Sequence, residues 1–437
     1  MNMLPVAKVE EIVLSLVKPF DPQIDSEIIP LSQALNRILA EDVRSALDFP
    51  HWDNSAMDGY AFRYADLEEQ FQEQFQEQFQ EEFQEQFQER WQLRITADEI
   101  PAGMAIAKPL AKGECIRIFT GGMLPIGADT VVMQEDTERI GNILYLQVKP
   151  IQGEYVRRKG EFITAGTTLV SAGSKLTPTE IGALASARCQ QVKVYRQPRI
   201  AVISTGNELV SLDSSAPLHL GQIIDSNLHA ISALIAQAGA IAVPFGAVPD
   251  DREELETAIK KAIATSDMVI SIGGVSVGDY DYIDGLLEKL GAHIHVRSVS
   301  IKPGKPLTIA SLTNSLSVNG SEERIVYFGI PGNPVSAMMS FWRFIRGAIA
   351  KLNGAGETHW QPQFIRASTT EALNSQGRRE TYLWGKLTYP KGIPTFQPVS
   401  NYSSGNLISA IGVNSLAVMR VNQTYVPVGD EVIVMLI

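Results

Sequence analysis

Residues 267–284 read DMVISIGGVSVGDYDYID. Met268–Ile272 is a short run rich in branched apolar side chains, the mark of a buried strand. Gly273 and Gly274 stop it, and YIDGLLEKLG beyond them has helical spacing. The same unit recurs nearby. RIAVIST runs into Gly206-Asn207-Glu208, and RIVYFGI runs into Pro331-Gly332-Asn333-Pro334. NLHAISALIAQAG, DREELETAIKKAIATS and PVSAMMSFWRFIRGAIAKL supply further helices, and AIAV a further strand. Strands alternating with helices over residues 198–356 predict a mostly parallel sheet covered on both faces. Ligands of such sheets collect outside the C-terminal strand ends, where these three loops meet.

Each loop also has a plain structural reading. Glycines at strand ends make turns, yet they also let a ligand or another backbone approach closely. Gly273 and Gly274, with Ser276 beyond them, are candidate ligand contacts. In PGNPVSA, Asn333 suits an N-cap and Pro334 the first helical position, so the helix directs free N–H groups outward. Pro331, Gly332, Asn333, Pro334 and Ser336 therefore suit an oxyanion. In IKPGKPL, Pro303 and Pro306 stiffen the chain around Gly304 and hold Lys302 close to Lys305. Two such ammonium groups repel unless an anion sits between them. Glu208, Asp225, Asp250 and Asp281 are candidate Mg²⁺ ligands, as hard oxygen donors beside a phosphate. Asp225 in IIDSN and Asp250 in VPDDREE equally suit helix caps. His293 and His295 share a strand face; with no third ligand evident, core packing is expected of them. Asp53 and Asp58 in DNSAMDGYA suit an Asx turn.

The remainder of the chain differs in character. Residues 1–49 read as helical, from VEEIVLSLV and SQALNRILAEDV, and another helix begins at Thr177-Pro178. Residues 50–150 and 357–437 are short β-rich runs with glycine turns. At 437 residues the chain is too long for one core. Two cysteines form neither a disulfide framework nor a CxxC metal site. The N-terminus lacks the pattern of a secretory signal, and the uncharged stretch 226–249 is broken by Gly239 and Pro244, so no membrane span is expected.

The net charge is −12, but the segment 68–89 carries eight glutamates and no basic residue; the rest of the chain stands near −4. The acidity thus says little about partners, and no basic stripe points to nucleic acid. That segment belongs to an insert, EEQFQEQFQEQFQEEFQEQFQER, with phenylalanine at every fourth position from Phe71 to Phe87 and Trp91 continuing the spacing. A step of four overshoots a helical turn by roughly 40°, so the stripe winds around a helix and makes no heptad seam. A repeat expansion in a surface loop is the expectation, since closing a longer loop costs little more.

Taken in order, DNSAMDGYA, the run from FTGG to GADTVV, STGNEL, SIGGVSVGDYDY, IKPGKPL and GIPGNPVSA resemble the MoeA family of molybdopterin molybdenumtransferases, to which the E domain of gephyrin is related. The motifs span nearly the whole chain. The resemblance implies a multi-domain α/β plus β protein. Its domain I would comprise 1–49 and 151–197, mixed with a helical start. Domain II (50–150) would be β-rich with the insert at 68–90, domain III (198–356) the three-layer α/β domain of molybdenum-cofactor biosynthesis, and domain IV (357–437) a C-terminal β domain. It further implies a cytoplasmic, elongated homodimer that inserts molybdate into adenylylated molybdopterin with Mg²⁺, releasing AMP. The molybdopterin adenylyltransferase is a possible partner.

Carried over by motif, Asp58 and Thr120 resemble the second domain's contribution to the site. Glu208, Asp250 and Asp281 match the functional acids, and Lys302 and Lys305 with Pro306, Pro331, Pro334 and Ser336 match the anion loops. Arg378 in GRRETYLWG and Ser404 in YSSGNLIS match the tail segments. Two departures stand out: Phe162 replaces the aspartate of a GED motif, and Tyr402-Ser403-Ser404 stands where Gln-Gly-Ser is common. Rival readings are an adenylyltransferase, which the extra β domains disfavour, and a scaffold that has lost the chemistry, which the intact acids and lysines disfavour.

Overall fold

A computed structural model describes residues 3–70, 91–104, 108–274, 282–314, 323–400 and 403–437. The chain falls into two compact units. One comprises Met1–Glu41, Ala172–Pro178 and Gln191–Ile437; the other comprises Asp42–Ser171 and Thr179–Gln190.

The first unit opens with α1 (Val6–Leu16) and then builds the alternating domain. Its elements are β1 (Arg199–Thr205), α2 (Ser226–Gln237), β2 (Ile241–Val248), α3 (Arg252–Thr265), β3 (Met268–Ile272), α4 (Tyr282–Lys289), β4 (His293–Ser298), β5 (Ile301–Lys302), β6 (Pro306–Asn314), β7 (Glu323–Ile330), α5 (Pro334–Ser340) and α6 (Arg346–Leu352). The sheet order is β2-β1-β3-β7-β6-β4. The first four strands are parallel, and β6 runs antiparallel to both β7 and the edge strand β4. All of β3 is buried, as an apolar run covered on both faces must be. On one face Leu255, Ile259, Leu286 and Leu287 of α3 and α4 cover Ala201, Ile203 and Val269. On the other, Val9 and Val13 of α1 and Ile231 and Ile235 of α2 pack with Ile200, Val202 and Ile270. These are the three layers expected from the sequence.

The C-terminal part adds β8 (Phe364–Thr369), β9 (Glu380–Thr388), β10 (Thr395–Pro398), β11 (Ser415–Met419) and β12 (Glu431–Leu436). They pair in the ring β9-β10-β8-β12-β11-β9, a small closed barrel without free edges. The short strand β5 joins β9 in parallel, Ile301 opposite Glu380 and Lys302 opposite Thr381. Tyr382, Trp384, Leu416 and Met435 of the barrel share one apolar cluster with α1 and the α/β sheet, and Trp342 lies against Trp384 at 5.2 Å between ring centroids.

The second unit is built on a six-stranded sheet in the order Thr130–Met133, Gly59–Phe62, Glu114–Ile118, Trp91–Ile100, Ile143–Leu146, Thr137–Ile140. The repeat from Phe71 to Phe87 lies outside the described residues. Its flanks meet, however: the Gln70 side-chain amide donates to the Gln92 carbonyl at 2.9 Å, as insertion into a closed loop requires. Trp91 does not continue a helical stripe. It starts a strand and is buried with Leu93, Leu144 and Leu146.

Two other expectations fail. SQALNRILAEDV is not a second helix; only Leu31–Gln33 form a 3₁₀ turn, and Val43–Arg44 is a strand. The buried spacing of Ala34 and Ile38 imitates a helix. Yet Asn36 has φ +64°, and the amides of Asn36 and Leu39 bond to Leu176 and Ser174 carbonyls. Tertiary backbone partners thus override local periodicity. His293 is exposed and His295 half-buried on edge strand β4, so neither is a core residue. Their rings meet at 4.5 Å between centroids, and His295 Nε2 shares a hydrogen with Ser311 Oγ at 2.9 Å.

Because barrel and α/β sheet share one core, Trp342→Ala is expected to cost about 3–5 kcal/mol and to weaken both together. Hydrogen exchange reads this directly: amides of β3 and β9 lose protection in parallel. Loss confined to β9 would contradict a shared core.

Candidate functional site

The ends of β1, β3 and β7 come together through main-chain contacts around Gly273, a position that only glycine can fill. Gly273 has φ +92°, and a Cβ there would lie 2.7 Å from the Thr205 carbonyl oxygen. Its amide bonds to the Ile330 carbonyl at 3.0 Å. A Cβ on Gly332 would lie 3.5 Å from the Gly273 Cα, so all three strand ends touch. Asn227, in the first turn of α2, donates its side-chain amide to the Gly332 carbonyl at 2.7 Å. Sequence reasoning missed Asn227; its place beside Asp225 in IIDSN was the available signal.

The acids sit on the β1 side. The Asn207 side chain accepts from the Asp250 amide at 3.1 Å, joining the Glu208 loop to the loop after β2. Burial first, and then the nearby Glu208 carboxylate, hold the Asp250 carboxyl above its ordinary value. Asp250 does not cap α3. That role falls to Asp251, which accepts from the Glu253 and Glu254 amides and leaves Asp250 free. Asp225 does cap α2, accepting from the Leu228 amide at 3.1 Å through Oδ1. Its Oδ2 is buried without a hydrogen-bond partner among the described residues. No group of three or more His, Cys, Asp or Glu residues among the described residues could hold a metal, so Asp225 does not join Glu208 and Asp250 in such a cluster. Ser276 and Asp281 lie outside the described residues.

The lysine loop faces α5. Gly304, at φ +103°, packs its α-carbon where a Cβ would lie 3.5 Å from both the Ser336 carbonyl oxygen and Ser340 Oγ. The Val299 amide bonds to the Lys305 carbonyl at 3.0 Å, closing the loop before Pro306 begins β6. Lys302 is half-buried and Lys305 exposed, and neither ammonium has an ion-pair partner among the described residues. Pro334 occupies the first turn of α5 as expected, after the buried Pro331. Asn333 stands at the N-cap but makes no side-chain cap. Ser336 is buried in the same turn. The Ser404 carbonyl accepts from the Val335 amide at 3.2 Å, which brings the tail segment to the α5 tip. Arg378 is exposed after the turn at Gly377. Its neighbour Arg379, which sequence reasoning passed over, donates to the Ile301 carbonyl at 3.0 Å.

In the second unit, Asp58 Oδ1 accepts from both the amide and the hydroxyl of Thr120, each at 2.7 Å. The amide bond first, then the hydroxyl, holds the exposed Asp58 carboxyl below its ordinary value. Asp53, by contrast, is tied to Arg158 and to the Lys159 amide. Phe162 is exposed and packs on Phe49 at 5.9 Å between centroids. Burial pushes the Cys115 thiol up to about 12, which makes it no nucleophile.

Comparison with known proteins gives the family. Residues 4–187 match the family model of the MoeA N-terminal region (domain I and II), residues 201–351 that named "Probable molybdopterin binding domain", and residues 366–437 that of the MoeA C-terminal region (domain IV). The molybdopterin molybdenumtransferase of Nostoc sp. is 45% identical over 434 residues, 99% of this chain and 94% of that one. That of Haemophilus influenzae is 34% identical, covering 82% of this chain and 80% of its own. The crystal structure of a molybdopterin biosynthesis moeA protein from Pyrococcus horikoshii OT3 superimposes with a TM-score of 0.78 at 25% identity, over the full length of both chains.

An Asp250 carboxyl raised above its ordinary value makes the charged form a cost to the folded state. That cost is present above the raised value and vanishes below the unfolded one. Asp250→Asn is therefore expected to raise the melting temperature at pH 7 in metal-free buffer, with a gain that shrinks on acidification. Equal melting at pH 7 would contradict the cost that burial, and then Glu208, place on the ionised Asp250 carboxyl. With domain models along its length and close full-length relatives, the chain belongs to the MoeA family.

Proposed function

We propose that this protein is a molybdopterin molybdenumtransferase, inserting molybdate into adenylylated molybdopterin with Mg²⁺-dependent release of AMP. The observation that carries the reading is the pair of ammonium groups, Lys302 and Lys305, without an ion-pair partner among the described residues, on the loop whose Gly304 packs against the first turn of α5. Two positive charges on the loop that packs against the first turn of α5 suit a phosphate or tetrahedral oxyanion and no neutral ligand. The relatives' shared name supplies the substrate.

A divalent cation fits the acids present. Asp250 is raised partly by Glu208, a repulsion that a cation between them relieves. Glu208 and Asp250, with Asp281, are the residues that would hold Mg²⁺, and Asp225 is assigned to capping α2. Bound there, the ion would supply charge neutralisation at a phosphoryl oxygen.

The chain's own residues do the remaining work. Lys302 and Lys305 hold the pyrophosphate that links pterin phosphate to AMP and stabilise charge gathering on its oxygens. A water oxygen bonds to phosphorus, the bridging P–O bond breaks, and AMP leaves with the bridging oxygen. The α5 tip, with Ser336, Arg378 and Ser404, holds molybdate against the dithiolene sulfurs, so that proximity supplies much of the rate. Asp58, ionised at working pH and oriented by Thr120, serves the same cleft from the second domain of a partner subunit in a cytoplasmic homodimer. The molybdopterin adenylyltransferase is the natural donor of the adenylylated substrate.

Lys302→Met combined with Lys305→Met should lower molybdate-dependent AMP release at least about a hundredfold, the scale for removing preorganised oxyanion donors. The assay uses adenylylated molybdopterin, molybdate and Mg²⁺, and follows AMP. ATP consumption by the parent protein would point to an adenylyltransferase, and partner binding without any AMP release would point to a scaffold.

A further inference from the structure

Between α5 and α6 the helix is not α-helical. Phe341–Ile345 forms a π-turn with all five side chains buried, including Arg343. Such turns are rare within α-helices and recur at functional sites. Arg343 Nη2 donates to Glu10 Oε2 of α1 at 2.9 Å, and Nε donates to the Tyr382 hydroxyl of β9 at 3.0 Å. That hydroxyl donates in turn to Glu380 Oε1 at 2.5 Å. Burial pushes the Tyr382 phenol up, so it remains a donor.

Glu380 is the residue on which the lysine loop hangs. Its amide bonds to the Ser300 carbonyl at 3.1 Å, and Ile301 and Lys302 pair with Glu380 and Thr381. The other side of that loop rests on α5 through Gly304 and Ser340, and Ser340 immediately precedes the π-turn. Lysine loop, β9 and the α5 helix therefore form a triangle, and the Arg343–Tyr382 bond closes its third side. A buried ion pair adds little net stability compared with apolar packing of similar volume, so stability alone gives no reason for one here.

We propose that Arg343 and Tyr382 are positioning residues for the oxyanion cleft, fixing the gap between Lys302 and the α5 tip and so setting affinity for the anionic ligand. This inference rests on the transferase reading. The test compares the parent protein with Tyr382→Phe, Arg343→Lys and Leu387→Val; the last trims a buried residue of the barrel's own core as a control for general destabilisation. Arg343→Lys keeps a charge opposite Glu10 but lacks the Nε donor to Tyr382, and Tyr382→Phe keeps the ring, so that if one variant fails to fold the other still decides.

Four quantities are read: AMP binding by calorimetry with Mg²⁺, KM and kcat for molybdate-dependent AMP release, and the melting temperature. Tyr382→Phe and Arg343→Lys should weaken AMP binding and raise KM at least threefold, with kcat changed less than twofold. Leu387→Val should lower the melting temperature at least as far with KM unchanged. An unchanged KM in the two hub variants, or an equal rise in Leu387→Val, overturns the positioning role while leaving the transferase reading intact. A parent protein that neither binds AMP nor releases it overturns both.

Discussion

Two like charges on one short loop, Lys302 and Lys305, set the requirement that the rest of the first unit meets. Left in water, two ammonium groups on flexible stems would move apart. Here the loop that carries them is fastened on both sides: β5 is paired with β9, and Gly304 is pressed against the first turns of α5. The strand-end contacts through Gly273 and Gly332 seat the start of α5 beside the acids. Electrostatic preorganisation of this kind works because the cost of assembling the charges is met in folding and not during the reaction.

That arrangement explains why the C-terminal barrel is not an independent appendage. Its strand β9 is the outer wall of the lysine loop, and its side chains Tyr382 and Trp384 complete the core that α1 and the α/β sheet share. The Ser404 carbonyl reaches the first turn of α5 from the same barrel. A free α/β domain of this sequence would retain the acid loops and the α5 tip but would lose the support of Lys302. The extra β-rich part thus has a direct part in the chemistry proposed here.

Much of this was legible in the sequence, because the signals were local. Apolar runs ending in glycine located β1, β3 and β7, and Asn333-Pro334 located the start of α5. What failed depended on partners distant in the chain. Ala34 and Ile38 had helical spacing, but Leu176 and Ser174 claimed the backbone. Asp250 suited a cap, but its neighbour Asp251 takes that role. Asn333 had the right side chain for a cap but makes no such bond. Arg379 and the Arg343–Tyr382 link could not be read at all, since an arginine inside an apolar helix looks like any snorkelling side chain until its carboxylate and phenol partners are placed.

The central claim is that an oxyanion sits between the lysine loop and the α5 tip. Crystals grown with molybdate, measured at the molybdenum absorption edge, test it most directly. The account predicts an anomalous peak between the lysine loop and the first turn of α5, with Lys302 or Lys305 turned toward it. Molybdenum bound only elsewhere on the protein, with this cleft filled by solvent, would contradict it.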